Sequence, residues 1–504
     1  MAYLILGVLC WGIIFVVLYS LRLKSRLHTL SIETMAIPEK ALSAAVLLGI
    51  IMICILPMGL CPVWNGDIPE HRNQYEVLTE SILQGHLYMD YEVDPKLLAM
   101  DNPYDRDMRD ELGVDYHWDH AFYQGHYYMY FGVVPVFLLF LPYRVITGQS
   151  LTTYHATQIF VAVFIIGIFA LFYLLAKKFF PRISLALYLM LSAAFAMASI
   201  WYSIAAPALY ATAITAGLCM EIWSLYFFFK SVWDGEDDRK CIRYAFLGSM
   251  LGALAFGCRP PVALANLLAV PLLIQYLHSR KCNRKLAGRL LFAALPYVVV
   301  GGLLMAYNYA RFDNPFEFGQ AYQLTTNDQT AYGFGFSKSL LFEMINGVFT
   351  SFISYAPLDE AFPYLSHNGV LINFPVFFCG FFGLAQEKVR RKLKSQGLWN
   401  FTIVLTVLPF LITVIEILWS PIVNERYHMD IYWLMGLLCF LVMGTAYESA
   451  SVKFRRRLSW GLSYGALGTM FVCFLLWAVP RDSNLTSYYP WVLEDIKQVI
   501  RLGR

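Results

Sequence analysis

A helix needs roughly 17–25 apolar residues to cross the hydrocarbon layer of a bilayer, and this chain supplies such runs repeatedly. They fall near 2–21, 41–60, 153–176, 183–203, 205–229, 243–258, 261–277, 289–308, 371–386, 401–419, 431–448 and 459–479. In lipid every backbone group must find a partner within the protein, which for isolated runs of this length means an α-helix. The expected fold is therefore an all-α polytopic membrane protein of about twelve transmembrane helices. Of the 504 residues, 58% are hydrophobic and only 14% charged, against about 25% charged in a soluble domain. The lipid bilayer is thus an expected partner. A net charge of +3 is too small to suggest nucleic acid.

The connections between runs alternate in charge. "RLKSR" (22–26), "KKFFPR" (177–182), "DRKCIR" (238–243), "HSRKCNRK" (278–285), "EKVRRKLK" (387–394) and "KFRRR" (453–457) carry most of the cations. The positive-inside rule places all six on the cytoplasmic side. Both termini and two long loops are then expected outside. The run 2–21 lacks a basic leading segment and a small-residue cleavage site, so it is expected to stay as a helix. Ten cysteines without a CxxC pair support neither a disulfide framework nor a thiolate zinc site. The chain divides into an extra first helix with its linker (1–40), a core (41–308) that includes outer loop 61–152, a second outer loop (309–370) and a C-terminal set of helices with an outer tail (371–504).

Loop 61–152 holds fourteen acidic residues, from Asp67 to Asp119, against five basic ones. Both loops are rich in Tyr, Phe, Trp and Pro, which is not the composition of a disordered linker. Residues 74–86 and 127–147 are expected as two juxtamembrane helices. Asp67 and Glu70 come within about ten residues of the membrane exit, where low-dielectric surroundings favour a general base. The plain alternative is that they are solvated residues near a helix N-terminus.

Farther on, "DYHWDH" offers Asp119 as a second carboxylate, and His117, Asp119 and His120 as possible ligands of a divalent cation. That spacing is not diagnostic, since histidines near surface carboxylates commonly have no ligand role. Arg311 in "YNYARFDNPFEFG" stands on the side where arginine is unusual, and a lipid phosphate matches its planar fork. Arg426 and His428 in "VNERYHMD", Arg259 in "CRPP", and Lys338 add polar groups at the same level; each alone is equally a snorkelling interface residue. Glu416 lies within a span, where a carboxyl costs about 2.5–3.5 kcal/mol on insertion scales and faces a cavity or a partner. Its nearest expected partner is Arg426. Glu221 is deeper, with no role assigned. No P-loop, Rossmann fingerprint, GxSxG or HExxH occurs.

The arrangement resembles the GT-C class of integral-membrane glycosyltransferases. That class includes the protein O-mannosyltransferases of glycosyltransferase family 39 and the bacterial aminoarabinose and lipid A mannosyl- or galacturonosyltransferases. An early span, an acid soon after its exit (Asp67, Glu70), the helix "QYEVLTESILQGHLY", the stretch "GHYYMYFGVVPVFLLFLPYRVITG" with His126 and Pro135, and the late "ERYHMD" carry the likeness. The Asp-Glu pair usual in the class falls here at His71 and Arg72, leaving Glu70 or Asp67 in its place.

The resemblance implies a bacterial plasma-membrane enzyme that takes a sugar from a polyprenyl-phosphate donor. The sugar passes, with inversion, to an acceptor outside the cytoplasm: a cell-envelope glycan, a lipid or a protein. Cations including Arg311, Arg426, Arg259 and Lys338 would bind the phosphate, with His120, His126, Glu416 and His428 lining a polar cavity. A transporter or flippase for a lipid-linked sugar is the competing reading. It would call for charge along the bundle interior and matched halves, and no repeat is evident.

Overall fold

The computed structural model describes residues 2–59, 73–233, 238–279, 284–331, 338–358, 362–365, 368–419, 424–479 and 485–503. It begins with α1 (Ala2–Ser20) and α2 (Ile37–Met58). The first long loop holds α3 (Gln74–Gln84), short α4 (Pro95–Ala99) and α5 (Arg106–Leu112), a hairpin of β1 (Ala121–Tyr123) and β2 (His126–Tyr128), and α6 (Leu141–Thr147). The bundle continues through α7 (Thr153–Phe179), α8 (Leu185–Ala205), α9 (Leu209–Trp233) and α10 (Asp238–Phe256). Two interrupted spans follow, α11 (Pro260–Ala263) with α12 (Ala269–Ser279), and α13 (Arg284–Ala293) with α14 (Leu295–Phe312). The second loop contains α15 (Lys338–Ile353). Then come α16 (Val370–Asn373), α17 (Phe378–Ala385), α18 (Glu387–Ser395), α19 (Trp399–Trp419), α20 (Met429–Ser449), α21 (Val452–Ala478), α22 (Leu485–Tyr488) and α23 (Trp491–Ile500).

Among the described residues, ten helical segments are long and apolar enough to cross a membrane. The protein is an all-α polytopic membrane protein. Two of the twelve expected runs differ in form. α10 opens on charged residues yet packs along α9 and α14, and 371–386 is divided among α16, a 3-10 turn and α17.

α8, α9 and α20 are the buried centre, whereas α1, α2 and α14 expose most of their length. Contact between α8 and α20 is close because Gly436 faces Phe195; a Cβ there would stand 2.8 Å from the phenylalanine Cβ. Small residues at such crossings let backbones approach. Nearby Phe172 and Phe440 stack with centroids 3.9 Å apart.

Three of the basic connections, those that follow α1, α7 and α20, meet at one end of the bundle. The backbone of Ile32 donates to Ile183 and that of Leu185 to Leu30, His28 Nδ1 lies 2.8 Å from Ser459 Oγ, and Arg182 pairs with Glu448. The long loops cover the opposite end, called here the loop face.

One expectation for the loops needs correction. Residues 127–147 are not one helix: Tyr127 and Tyr128 belong to β2, and helical structure starts only at Val136. The cause is the Gln124-Gly125 pair, both with positive φ (48° and 79°), which turns the chain as two-residue hairpin loops do. Several loop carboxylates are also structural. Asp94 and Asp105 cap α4 and α5, and Glu80 pairs with Arg144 at 2.5 Å. Glu76 of α3 accepts from the Thr153 hydroxyl at 2.7 and 2.8 Å and from its backbone N–H, so it caps α7.

The second loop is fastened to the first. Asp119 N–H donates to Leu324 O at 3.0 Å, Leu324 N–H to His120 O at 2.9 Å, and Phe122 N–H to Tyr322 O at 2.8 Å. Residues 322–324 thereby extend the hairpin edge. Buried Arg109 donates to Pro103 O at 2.6 Å and Thr325 O at 2.7 Å, a second tie.

Burial pushes the Glu76 carboxyl up to about 7 from its ordinary 4.5, against the opposing effect of the Thr153 bonds. Because the folded value is raised, its contribution to stability is present at low pH and lost as pH rises between those two values. The wild-type protein in detergent should therefore lose thermal stability from about pH 4.5 to about pH 7. Glu76→Gln should flatten the dependence in that window; an unchanged pH slope in the variant would rule out Glu76 as its source.

Candidate active site

At the loop face a cavity of about 350 Å³ opens among residues 130–133, the start of α9, the end of α10, α11, the end of α14, and Ile415, Glu416, Arg426 and Tyr427. It draws together four groups singled out by sequence, Arg259, Arg311, Glu416 and Arg426.

Arg259 arrives first in the chain. The residue before a proline is held in extended backbone, and Arg259 (φ −157°, ψ 105°) precedes Pro260-Pro261, which starts α11. Its side chain reaches the first turn of α20, where Nε meets Asp430 Oδ1 at 2.7 Å and Nη2 meets Oδ2 at 2.7 Å. Nε also donates to Oδ2 at 2.8 Å, so one nitrogen serves both carboxylate oxygens while Nη2 lies at ion-pair distance. Asp430 is fully buried, and its position in the first turn also suits the helix dipole. Glu416 stands 3.9 Å from the same guanidinium. The expected Glu416–Arg426 pair is therefore replaced by Glu416–Arg259, and Arg259 has its charge matched before any ligand arrives.

Arg311 closes α14, nearly buried at 4% exposure. It donates to Met129 O at 2.6 Å and Asn308 Oδ1 at 2.8 Å, and lies over the rings of Tyr307 at 3.9 Å and Phe312 at 4.5 Å. Arg426 sits in a 3-10 turn ahead of α20, with its guanidinium 4.0 Å from the Tyr210 centroid and 5.5 Å from that of Tyr427. Among the described residues neither arginine has a carboxylate within ion-pair distance. A guanidinium has five N–H donors, so Arg311 retains three beyond its two bonds. Two cations held against aromatic rings beside an apolar interior are stabilised most by an anion.

Asp119 lies behind this wall. It is 3% exposed and takes a left-handed backbone conformation with φ 62°, a cost of order 1–3 kcal/mol for a residue that is not glycine. Its carboxylate accepts from Tyr130 Oη at 3.3 Å, from Tyr210 Oη and from Gln323 Nε2. Its carbonyl accepts from Gln74 Nε2 at 2.9 Å. Tyr130 and Tyr210 both line the cavity, so Asp119 communicates with it through two phenols.

The remaining site candidates lie elsewhere. His120 is fully buried, with Nδ1 2.9 Å from Trp118 O. His126 stacks on Tyr88 at 4.2 Å, which stacks in turn on His86. His117 stacks on Tyr91 at 4.1 Å, its ring centroid lies 5.6 Å from that of His120, and both imidazoles meet Tyr127 edge-on. His428 meets Tyr432 edge-on at 6.2 Å and does not line the cavity. Lys338 begins α15. Asp67 and Glu70 fall outside the described residues, although Gln74, four positions after Glu70, touches Asp119. Among the described residues no group of three or more His, Cys, Asp and Glu is placed to hold a metal ion.

The partners that sequence reading missed are Asp430, Tyr130, Tyr210 and Gln323. Asp430 carried a usable signal, an acid opening an apolar span two residues after His428. The others are ordinary polar residues in aromatic loops or at a helix start, with no pattern to mark them.

No family model and no curated protein sequence matches the chain. Two solved structures are similar to it. One is the archaeal oligosaccharyltransferase AglB from Archaeoglobus fulgidus in complex with an inhibitory peptide and a dolichol-phosphate, at 14% identity and TM-score 0.48, covering 91% of this chain and 59% of that one. The other is an Archaeoglobus fulgidus oligosaccharyltransferase in the apo form, at 13% identity and TM-score 0.35, covering 86% and 57%. The chain thus spans less than two thirds of the length of either.

Breaking a buried ion pair by removing one partner costs about 3–5 kcal/mol, whereas an apolar pair of similar volume is often neutral. Asp430→Asn should accordingly lower the unfolding temperature markedly, and Arg259→Met with Asp430→Leu should recover most of the loss. Equal instability of the double variant would show that the charges themselves are required.

Proposed function

We propose that the protein is a membrane glycosyltransferase which moves a sugar from a polyprenyl-phosphate donor to an acceptor on the loop-face side, with inversion at the anomeric carbon. The observation that carries this reading is the pair of arginines, Arg311 and Arg426, meeting in one cavity without a carboxylate partner among the described residues. Such a site suits a phosphate group. The cavity also has apolar walls, Phe256, Leu264 and Leu304 among them, which suit the first units of a prenyl chain. The resemblance to the GT-C class in the order of span, acidic exit and juxtamembrane helix points the same way. A lipid-linked donor brings its own activated phosphate, in keeping with a chain that has no nucleotide-binding motif. The loop face is then the outside of a bacterial plasma membrane, as the basic connections at the other end favour.

Chemically, the acceptor hydroxyl loses its proton to a carboxylate as its oxygen attacks the anomeric carbon from the side opposite the phosphate. The bond from that carbon to the phosphate oxygen breaks, and its electron pair leaves with the lipid phosphate. Negative charge therefore grows on the phosphate, and Arg311 and Arg426 stabilise it more in the transition state than in the bound donor. Arg259, already matched by Asp430, holds the wall of the site. Asp67 and Glu70 are the proposed bases, since in sequence they follow α2 within about ten residues of the membrane exit, where low-dielectric surroundings favour a general base. Metal dependence is tested by chelation in the same assay.

The test is transfer from radiolabelled polyprenyl-phosphate sugars in membranes containing the protein. Arg311→Ala and Arg426→Ala should each reduce transfer by roughly 10²–10³-fold, and one of Asp67→Asn and Glu70→Gln should abolish it at normal expression. Donor movement across the bilayer without transfer to any acceptor would reject the enzyme in favour of a transporter.

A further inference from the structure

We infer that Asp119 is a positioning residue: it acts through Tyr210, fixing the ring on which the Arg426 guanidinium stacks, and does not itself take the acceptor's proton. This rests on the anion site proposed above and assigns what holds that site in shape.

Arg426 is a long side chain with about 2 kcal/mol of rotamer entropy. Among the described residues it makes neither a hydrogen bond nor an ion pair that would fix it. What remains is stacking, with the guanidinium 4.0 Å from the Tyr210 centroid. Tyr210 is the second residue of α9, and its ring is anchored at the far end by the bond from its hydroxyl to Asp119. Asp119 is anchored in turn by four elements. The hairpin sets its left-handed backbone, the second loop supplies Leu324 O and Gln323 Nε2, α3 supplies Gln74 Nε2, and Tyr130 donates from the cavity wall.

The same geometry argues against a base. The carboxylate is 3% exposed and already accepts from three neutral donors, two of them phenols that stand between it and the cavity. A general base must come within about 2.6–3.2 Å of the proton it abstracts. Reaching an acceptor would mean displacing Tyr130 and Tyr210. A carboxylate accepting from a phenol instead raises electron density in the ring, which strengthens attraction for a cation over its face. The series Asp119–Tyr210–Arg426 thus passes a buried negative charge to a cation without neutralising it, leaving the guanidinium edge for a phosphate.

The test uses farnesyl phosphate as probe and the full-length protein in detergent. Tyr210→Phe keeps the ring and removes only the hydroxyl; Asp119→Asn removes the charge; each is checked by thermal unfolding. Both should weaken binding between about threefold and thirtyfold, the range of a partly desolvated cation–ring contact. Neither should weaken it further in an Arg426→Ala background, because the effect runs through that arginine. If Asp119→Asn does not fold, Tyr210→Phe carries the comparison alone.

Wild-type affinity in Asp119→Asn with sugar transfer lost would overturn the inference and make Asp119 the base. Equal losses with and without Arg426 would also overturn it while leaving the anion site standing. An Arg426→Ala protein that binds the probe as well as wild type would remove the anion site and this inference together.

Discussion

The buried pair of Arg259 and Asp430 sets the terms for the rest of the loop face. A guanidinium and a carboxylate removed from water gain from each other only when geometry is good and the remaining donors are satisfied. Here the start of α11 and the start of α20 are fixed against each other by a close ion pair in which Nε donates to both carboxylate oxygens, with Glu416 of α19 on the third side. A short helix from the middle of the chain thus meets two consecutive later spans at one point. Had Arg259 been unpaired, the cavity would carry three equivalent cations. As built, it has one arginine spent on architecture and two left for a ligand.

The long loops follow from the same requirement. Arg311, which already spends one donor group on Met129 O, and Arg426 must be kept from folding out to solvent. The protein does this with rings: Tyr307 and Phe312 for the first, Tyr210 and Tyr427 for the second. Those rings are steady only because the loops are. Residues 322–324 add to the hairpin edge, Arg109 ties both loops together, and Glu76 joins α3 to the first turn of α7. Loops that look merely acidic and aromatic are thus a scaffold for two cations.

Much of this was legible in the sequence, and the parts that were not share a cause. Spans follow from apolar length alone, because lipid penalises any unsatisfied backbone; among the described residues ten segments are long and apolar enough to cross, the extra first one included. Arg259, Arg311, Arg426 and Glu416 stood out because charge at a membrane boundary is costly wherever it occurs. What sequence could not give was pairing. Glu416 lies ten residues from Arg426 yet faces Arg259, since partner choice depends on which helices adjoin. His126 drew notice as part of a motif and proved to belong to a ring stack with Tyr88 and His86. Tyr210 and Gln323 carry no charge to mark them; their importance comes from lying beside Asp119 and, for Tyr210, under Arg426. The hairpin was missed because Gln124-Gly125 lies inside an otherwise apolar aromatic stretch.

The interrupted span α11–α12 shows how position and chemistry are joined deeper in the bilayer. Between its halves, Leu264–Leu268 is a 3-10 segment, which leaves backbone carbonyls without their usual helical partners. In lipid those groups need replacements. Asn266 supplies them: its amide donates to Ala263 O at 2.8 Å and to Gly252 O at 3.0 Å, and also to Glu221 at 2.5 Å, while its oxygen accepts from Tyr297.

Gly252 is the residue that permits this approach, since a Cβ there would lie 1.9 Å from the asparagine oxygen. Glu221, unexplained as an isolated intramembrane acid, therefore has a structural partner at the break. The break in turn lets Pro260-Pro261 start a separate short helix whose entry residue is Arg259. An uninterrupted span would extend the regular helix through the Pro260–Leu264 segment that walls the cavity. The polar cluster at the 3-10 break and the ion pair at the loop face thus belong to one interrupted span, tied at its break by Asn266 and at its entry by Arg259, which reaches Asp430.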